Sequence, residues 1–167
     1  MIRALAAALI LGVLPSAVSA EPFGFPLAPV EGGKPVSLSA FKDKMLLVEL
    51  WQTHCEPCKV WRPFFEKTQA SFRDRGLVVM SVDSGEDAKT VQSYLKAHPS
   101  SLRQFLDPEQ KVSAALKTNG VPTVALIGTD GALLWAATGF GPSTEADLLW
   151  RIGQYAPVSA ALPMVKP

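Results

Sequence analysis

A chain of 167 residues, 48% hydrophobic and 19% charged, is long enough for one domain with a buried core, and its composition is that of a folded protein. A formal net charge of +1 without basic clusters gives no basis for binding nucleic acid or an anionic membrane surface. The two cysteines, Cys55 and Cys58, stand two residues apart, too close for a disulfide that constrains the unfolded chain strongly.

The chain opens like a secretory signal: a short positive start at Arg3, an apolar stretch over residues 4–14, and small residues at Val18-Ser19-Ala20. Cleavage is expected after Ala20. Pro15 breaks the apolar stretch, which falls short of the roughly 20 residues of a spanning helix. No cysteine lies at the boundary for lipid attachment. Loss of Arg3 leaves 15 basic and 15 acidic residues, a neutral mature chain with no reason to expect a dimer. The prediction is a periplasmic monomer, with its cysteine pair outside the reducing cytosol.

Residues 21–35 read as a Pro/Gly-rich lead-in with a short strand near 27–30, and residues 36–39 as a second small strand. Residues 45–51 form an almost unbroken apolar run, as in a central strand buried on both faces, interrupted by Glu49. A helix follows from Cys55 to about Arg75, with Val60, Phe64, Phe65, Thr68 and Phe72 as its apolar face and Pro63 as a bend within it. Gly76 ends this helix, and residues 77–82 are a second buried strand.

Downstream, residues 87–97 read as a helix, 102–106 as a short strand, and Asp107-Pro108 as the cap and first turn of a helix to about Lys117. Residues 123–127 and 132–137 form a hairpin around Asp130-Gly131. Ser143 caps a last helix to about Tyr155, and residues 157–167 are a tail that their Pro/Ala-rich composition predicts to be disordered. Trp135 and Trp150 are expected in or half in the core. The single domain spans residues 21–156. Its class is α/β, a central mixed β-sheet flanked by helices on both faces.

The chemistry centres on Cys55-Glu56-Pro57-Cys58. A cysteine at a helix N-terminus has its thiolate stabilised by free N–H groups and the helix dipole, so Cys55 is the expected nucleophile. Cys58, one turn on, would resolve the mixed disulfide. His54 would lower the Cys55 pKa when protonated and Glu56 would raise it, while Pro57 fixes the backbone between the sulfurs. Glu49, desolvated in a buried strand, suits proton exchange with Cys58. Trp51, at the strand end, is expected to help shape the substrate surface. The sequence leaves the Val121–Pro122 bond open between cis and trans. If cis, it would present the Val121 backbone to an extended substrate.

These motifs together resemble the thioredoxin superfamily in its exported TlpA/ResA-like branch. The resemblance runs from about Phe25 to Tyr155. It rests on Val36-Ser37-Leu38-Ser39-Ala40-Phe41-Lys42, on Leu47-Val48-Glu49-Leu50-Trp51 before the dithiol, on Pro63, on Val79 to Asp83, on Asp107-Pro108, and on Gly120-Val121-Pro122-Thr123 ahead of Asp130-Gly131. It implies a thioredoxin-like fold, a cis Pro122 facing the dithiol, and Glu49 as the family's buried acid. It also implies disulfide exchange with protein substrates, often as a reductant in cytochrome c or copper-site assembly, fed by a membrane electron donor. No cofactor or metal is expected beyond the redox-active Cys55–Cys58 pair. His54 departs from the family's usual tryptophan before the first cysteine, and Trp61 stands where some members carry a second acid. Two other readings stay open at this point: a copper chaperone binding through Cys55, Cys58 and His54, and a redox-inert domain with a structural disulfide.

Overall fold

The computed structural model describes residues 23–41 and 43–156. The expected signal peptide and C-terminal tail lie outside the described residues. Seven strands form one sheet in the order β2-β1-β5-β4-β3-β6-β7. They are β1 (Pro26–Pro29), β2 (Val36–Ser37), β3 (Met45–Trp51), β4 (Leu77–Ser84), β5 (Arg103–Asp107), β6 (Thr123–Ile127) and β7 (Leu133–Thr138). The helices are α1 (Glu56–Phe72), α2 (Ala88–Ala97), α3 (Lys111–Leu116) and α4 (Pro142–Tyr155), with short 3₁₀ turns at Leu38–Phe41 and Arg73–Arg75. β3, β4 and β5 run parallel, and β6 joins β3 antiparallel before turning back into β7. The expected mixed α/β sheet is therefore present.

β3 is central because every one of its side chains is buried. Successive residues point to opposite faces. On one side Met45 and Leu47 pack with Leu77, Val79, Val124 and Leu126 against Phe65 of α1 and Leu148 and Ile152 of α4. On the other, Leu46, Val48 and Leu50 pack with Met80, Val82, Ala125 and Phe105 against Val112 of α3 and Leu38. Each fully buried Leu or Val contributes about 2 kcal/mol of hydrophobic stabilisation, so these two layers hold the sheet. Gly76, at φ 80°, supplies the left-handed turn that carries the chain from the Arg73–Arg75 turn back into β4.

Four expectations need correction. Val60 is 72% exposed, and the buried stripe of α1 is Cys58, Arg62, Phe65 and Thr68. Val60 follows Cys58 by two residues, about 200° around the helix, and so faces solvent. Asp107 does cap α3, but through an intervening turn. Its carboxylate accepts from Lys111 N and Val112 N, both at 2.8 Å, and Gln110 between them adopts φ 55°. The helix α4 starts at Pro142 with Gly141 as its cap, because a proline has its φ preset for the first helical position. Trp150 lies on the outer side of α4, 59% exposed, while Trp135 is half-buried against the core.

Candidate active site

β3 ends at Trp51, and four residues later Cys55 is the N-cap of α1. The intervening loop is held at both ends. Cys55 N donates to Gln52 O (3.1 Å), and Gln52 Nε2 donates to Ser84 O at the end of β4 (2.7 Å). Cys55 and Cys58 are joined as a disulfide with Cα atoms 5.3 Å apart. Sγ of Cys55 accepts from Cys58 N at 3.2 Å, so the first turn of α1 offers an N–H to the sulfur expected as nucleophile. Cys55 is 6% exposed and Cys58 fully buried, the asymmetry expected of an attacking and a resolving sulfur.

Glu49 is fully buried on the α1-facing side of β3, opposite Ser81 of β4 and Val124 of β6. Ser81 Oγ donates to its Oε2 at 3.1 Å, while Oε1 has no protein partner. Burial pushes this carboxyl up to about 7, against the opposing charge of Arg62 and the Ser81 hydrogen bond. Near neutral pH it can therefore both give and accept a proton.

The Val121–Pro122 bond is cis. Pro122 is buried, and Val121 packs against the cluster formed by Val30, Trp51, Cys55, Cys58 and Val91. Hydroxyls hold this turn: Thr123 Oγ1 donates to Gly120 O (2.7 Å), and Thr118, Thr123 and Thr138 lie within 3.0 Å of one another. The structure thus brings Cys55, Cys58 and Val121 together, with Pro122 next to Val121 in the chain and Glu49 on the strand that leads to the dithiol. Trp51 is 1% exposed and offers no surface to a substrate. Its place is under the dithiol, its ring 5.4 Å from that of Tyr94. Glu56 and Pro57 lie in the first turn of α1, where Glu56 is exposed and pairs with Lys59 at 2.6 Å. His54 is exposed, with Nδ1 3.7 Å from Glu86 Oε1.

A family model described as Redoxin matches residues 16–149. The chain belongs to the Redoxin family. It is 30% identical over 107 residues to thiol-disulfide oxidoreductase ResA of Bacillus subtilis, across 64% of this chain and 60% of that protein. It is also 26% identical over 103 residues to the thioredoxin-like protein YneN of Bacillus subtilis, across 60% of each. The chain thus spans about three fifths of the length of these curated relatives. Among solved structures it is similar to the exposed lipoprotein thioredoxin Etrx1 of Streptococcus pneumoniae, with TM-score 0.69, 25% identity, and coverage of 78% of this chain and 98% of that one. It is similar as well to a secreted disulfide oxidoreductase of Mycobacterium tuberculosis, with TM-score 0.65, 15% identity, and coverage of 81% and 99%. The fold of this Redoxin family member is thioredoxin-like, as the sequence resemblance implied.

Three residues of the site escaped the sequence reading. Arg62, on the inner stripe of α1, lies with its guanidinium 4.4 Å from the Trp51 ring centroid and 5.5 Å from that of Tyr94. Asp83, at the end of β4, is fully buried and paired in register with Trp51. Glu86 accepts from Thr53 N (2.6 Å) and Thr53 Oγ1 (2.7 Å), anchoring the loop that delivers Cys55, and its own N–H donates to Asp83 Oδ1 (2.9 Å). Burial, followed by the hydrogen bond and charge of Glu86, pushes Asp83 up to about 8. The hydrogen bonds from Asp83 and Thr53 hold Glu86 below its ordinary range against its own partial burial. Asp83 therefore holds its proton to higher pH than Glu86 does. The available signal was Asp83 and Glu86 three apart just after a buried strand. Among the described residues, no group of three or more His, Cys, Asp or Glu side chains is placed to hold a metal ion, and no helix is long and apolar enough to cross a membrane.

Proposed function

We propose that this protein is an extracytoplasmic thiol–disulfide oxidoreductase, periplasmic and monomeric, that reduces disulfides in protein substrates. The observation that carries the reading is the Cys55–Cys58 pair at the start of α1, with its outer sulfur on a helix N–H and its inner one fully buried.

In the reduced protein the Cys55 thiolate attacks one sulfur of a substrate disulfide. A Cys55–substrate disulfide forms and the other substrate sulfur leaves as a thiolate. Glu49, whose carboxyl burial pushes up to about 7, takes the proton of Cys58. The Cys58 thiolate then attacks Cys55 Sγ, the Cys55–Cys58 disulfide forms, and the second substrate sulfur leaves. Two electrons have passed to the substrate, which departs as a dithiol. A membrane donor of two electrons and two protons restores the pair. Val121 and Pro122 form the wall beside the dithiol against which an extended substrate backbone lies. The Glu56-Pro57 pair, similar to that of reducing members of the ResA-like branch, supports the reducing direction, with clients of the cytochrome c or copper-site assembly type.

Equilibration of the Cys55–Cys58 couple against defined thiol buffers tests the direction. A potential around −270 mV supports a reductant, and one around −120 mV overturns it in favour of an oxidant. Cys58→Ser should trap the Cys55–substrate disulfide. Stoichiometric Cu(I) binding by reduced protein that exchanges no disulfide would instead point to a chaperone.

A further inference from the structure

Apart from Gln104 Oε1, the buried side-chain polar atoms that lack a protein partner among the described residues belong to Glu49, Trp51, Arg62 and Asp83, on β3, α1 and β4. The largest anomaly is Arg62. Its side chain is 7% exposed, and none of its three guanidinium nitrogens has an acceptor. Burying an unpaired cation is strongly unfavourable, and the faces of Trp51 and Tyr94 offset only a few kcal/mol of that cost. A methionine would fill the same space without it.

Position explains the charge. Arg62 stands four residues after Cys58, on the same face of α1 and one turn deeper. It covers Trp51, which shares a face of β3 with Glu49 two residues earlier, and Glu49 has its own unpartnered oxygen. Other groups near Glu49 do not supply this charge. Ser81 of β4 gives one neutral hydrogen bond, β6 presents Val124, and Lys59 pairs with Glu56 at the surface. Glu66, on α1, acts against ionisation of Glu49, and it is held away by Ser100 Oγ (2.8 Å) and Ser101 N (2.9 Å). Asp83, further along β4, is an acid that burial and Glu86 push up to about 8, and it supplies no positive charge.

We propose that Arg62 is a positioning residue of disulfide exchange: a fixed buried cation, one turn beyond Cys58, that keeps Glu49 available as a carboxylate and stabilises the negative charge forming on Cys58. With Glu49 protonated the guanidinium is uncompensated. When Glu49 takes the Cys58 proton, the cation faces the thiolate left behind. The pair therefore stays near-neutral in sum as the proton moves between acid and sulfur. This proposal rests on the oxidoreductase reading.

Titration of oxidised protein by NMR tests it, following the Glu49 side-chain carbon and the Arg62 side-chain nitrogen. In the wild type, both resonances should change with one midpoint near 7. In Arg62→Met, which keeps the apolar stem against Trp51 and Tyr94, Glu49 should bind its proton about tenfold more tightly. Arg62→Lys should restore most of the difference. The low-pH limb of the exchange rate should move to higher pH in the Met variant and return in the Lys variant. An Arg62 resonance that ignores the Glu49 transition overturns the proposal, as does a Met variant with the wild-type midpoint. If the Met variant fails to fold, the wild-type Arg62 resonance decides alone. Linked titration in a wild-type protein that exchanges no disulfide overturns the functional reading and leaves the charge coupling standing.

Discussion

The parallel pair β3–β4 divides at Glu49 and Ser81 into two halves with one continuous register and opposite contents. In the first half Met45 to Val48 lie beside Leu77 to Met80, an apolar block whose inner residues are almost wholly buried. In the second half the strands carry Glu49, Trp51, Ser81, Asp83 and Ser84, equally buried but polar or with a polar atom. Each buried polar atom without a partner costs on the order of 1–3 kcal/mol, and a buried Leu or Val returns about 2. The apolar half therefore supports the polar one. That division is how one small sheet can hold a carboxyl near 7 and another near 8 within its own core.

The comparison breaks most directly at its apolar end. Leu47, fully buried between Phe65 and the strands on either side, should cost about 2–5 kcal/mol as Leu47→Ala, by urea unfolding. Exchange per folded molecule should change little, since Leu47 packs in the apolar cluster under α1 and α4 and not in the one that holds the two sulfurs. A loss of exchange exceeding the loss of folded protein would mean that the two halves are not separable.

The polar end yields the next largest effect, and it has a sign. The Glu49 carboxyl stands at about 7 in the fold against an ordinary 4.5, so the folded chain binds this proton more tightly than the unfolded one. Its contribution is full below about 4.5 and is lost as pH rises towards 7. Above that, ionisation has cost the fold roughly 3 kcal/mol. Glu49→Gln removes the dependence. Plotted as wild type minus variant, stability should fall by that amount between pH 4.5 and 7 and then stay level. The Asp83–Glu86 pair is present in both proteins and cancels. A flat difference curve would remove Glu49 as the proton acceptor.

How far the sequence revealed these two halves follows from the range of the interactions. The apolar half was legible because an unbroken run of strand length reports its own burial, and the Cys55–Cys58 spacing identifies its chemistry within four residues. Glu49 was legible for the same local reason, as a charge inside such a run. The cis bond at Pro122 came only through family resemblance, since no local signal fixes it. Asp83 and Glu86 were missed because their role depends on a partner more than thirty residues away: Thr53 meets Glu86 only once β3 and β4 pair with Trp51 beside Asp83. Arg62 was missed for a different reason. Arginine is rarely buried, and the helix face was phased on the apolar residues when Cys58, whose burial the chemistry demands, would have set it correctly. Counting from Cys58 places Arg62 and Phe65 inside and Val60 outside.

A smaller change at the polar end sharpens the boundary between acid and loop. Glu86→Gln keeps the length of the side chain but gives up a carboxylate that accepts two bonds from Thr53, at a cost of about 1–2 kcal/mol. It also withdraws the neighbouring charge that helps to raise Asp83, so the Asp83 midpoint should fall below about 8, as read from its side-chain carbon by NMR. An unmoved midpoint would mean that burial alone holds the proton and that Glu86 has no part in it.

The smallest effect belongs to the residue that the helical phase misplaced. Val60 lies on α1, between β3 and β4 in sequence but on the solvent side in space, with 72% of its surface exposed. Val60→Ser should therefore leave stability within about 0.5 kcal/mol of wild type, since little apolar area is removed from the core. Phe65, five residues on and fully buried against Met45 and Leu77, should lose about 3–5 kcal/mol as Phe65→Ala. The ratio between these two costs measures the phase of α1 directly. Because the same phase places Arg62 one turn below Cys58, a large cost at Val60 would rotate Arg62 away from Trp51 and remove the geometry on which its role depends.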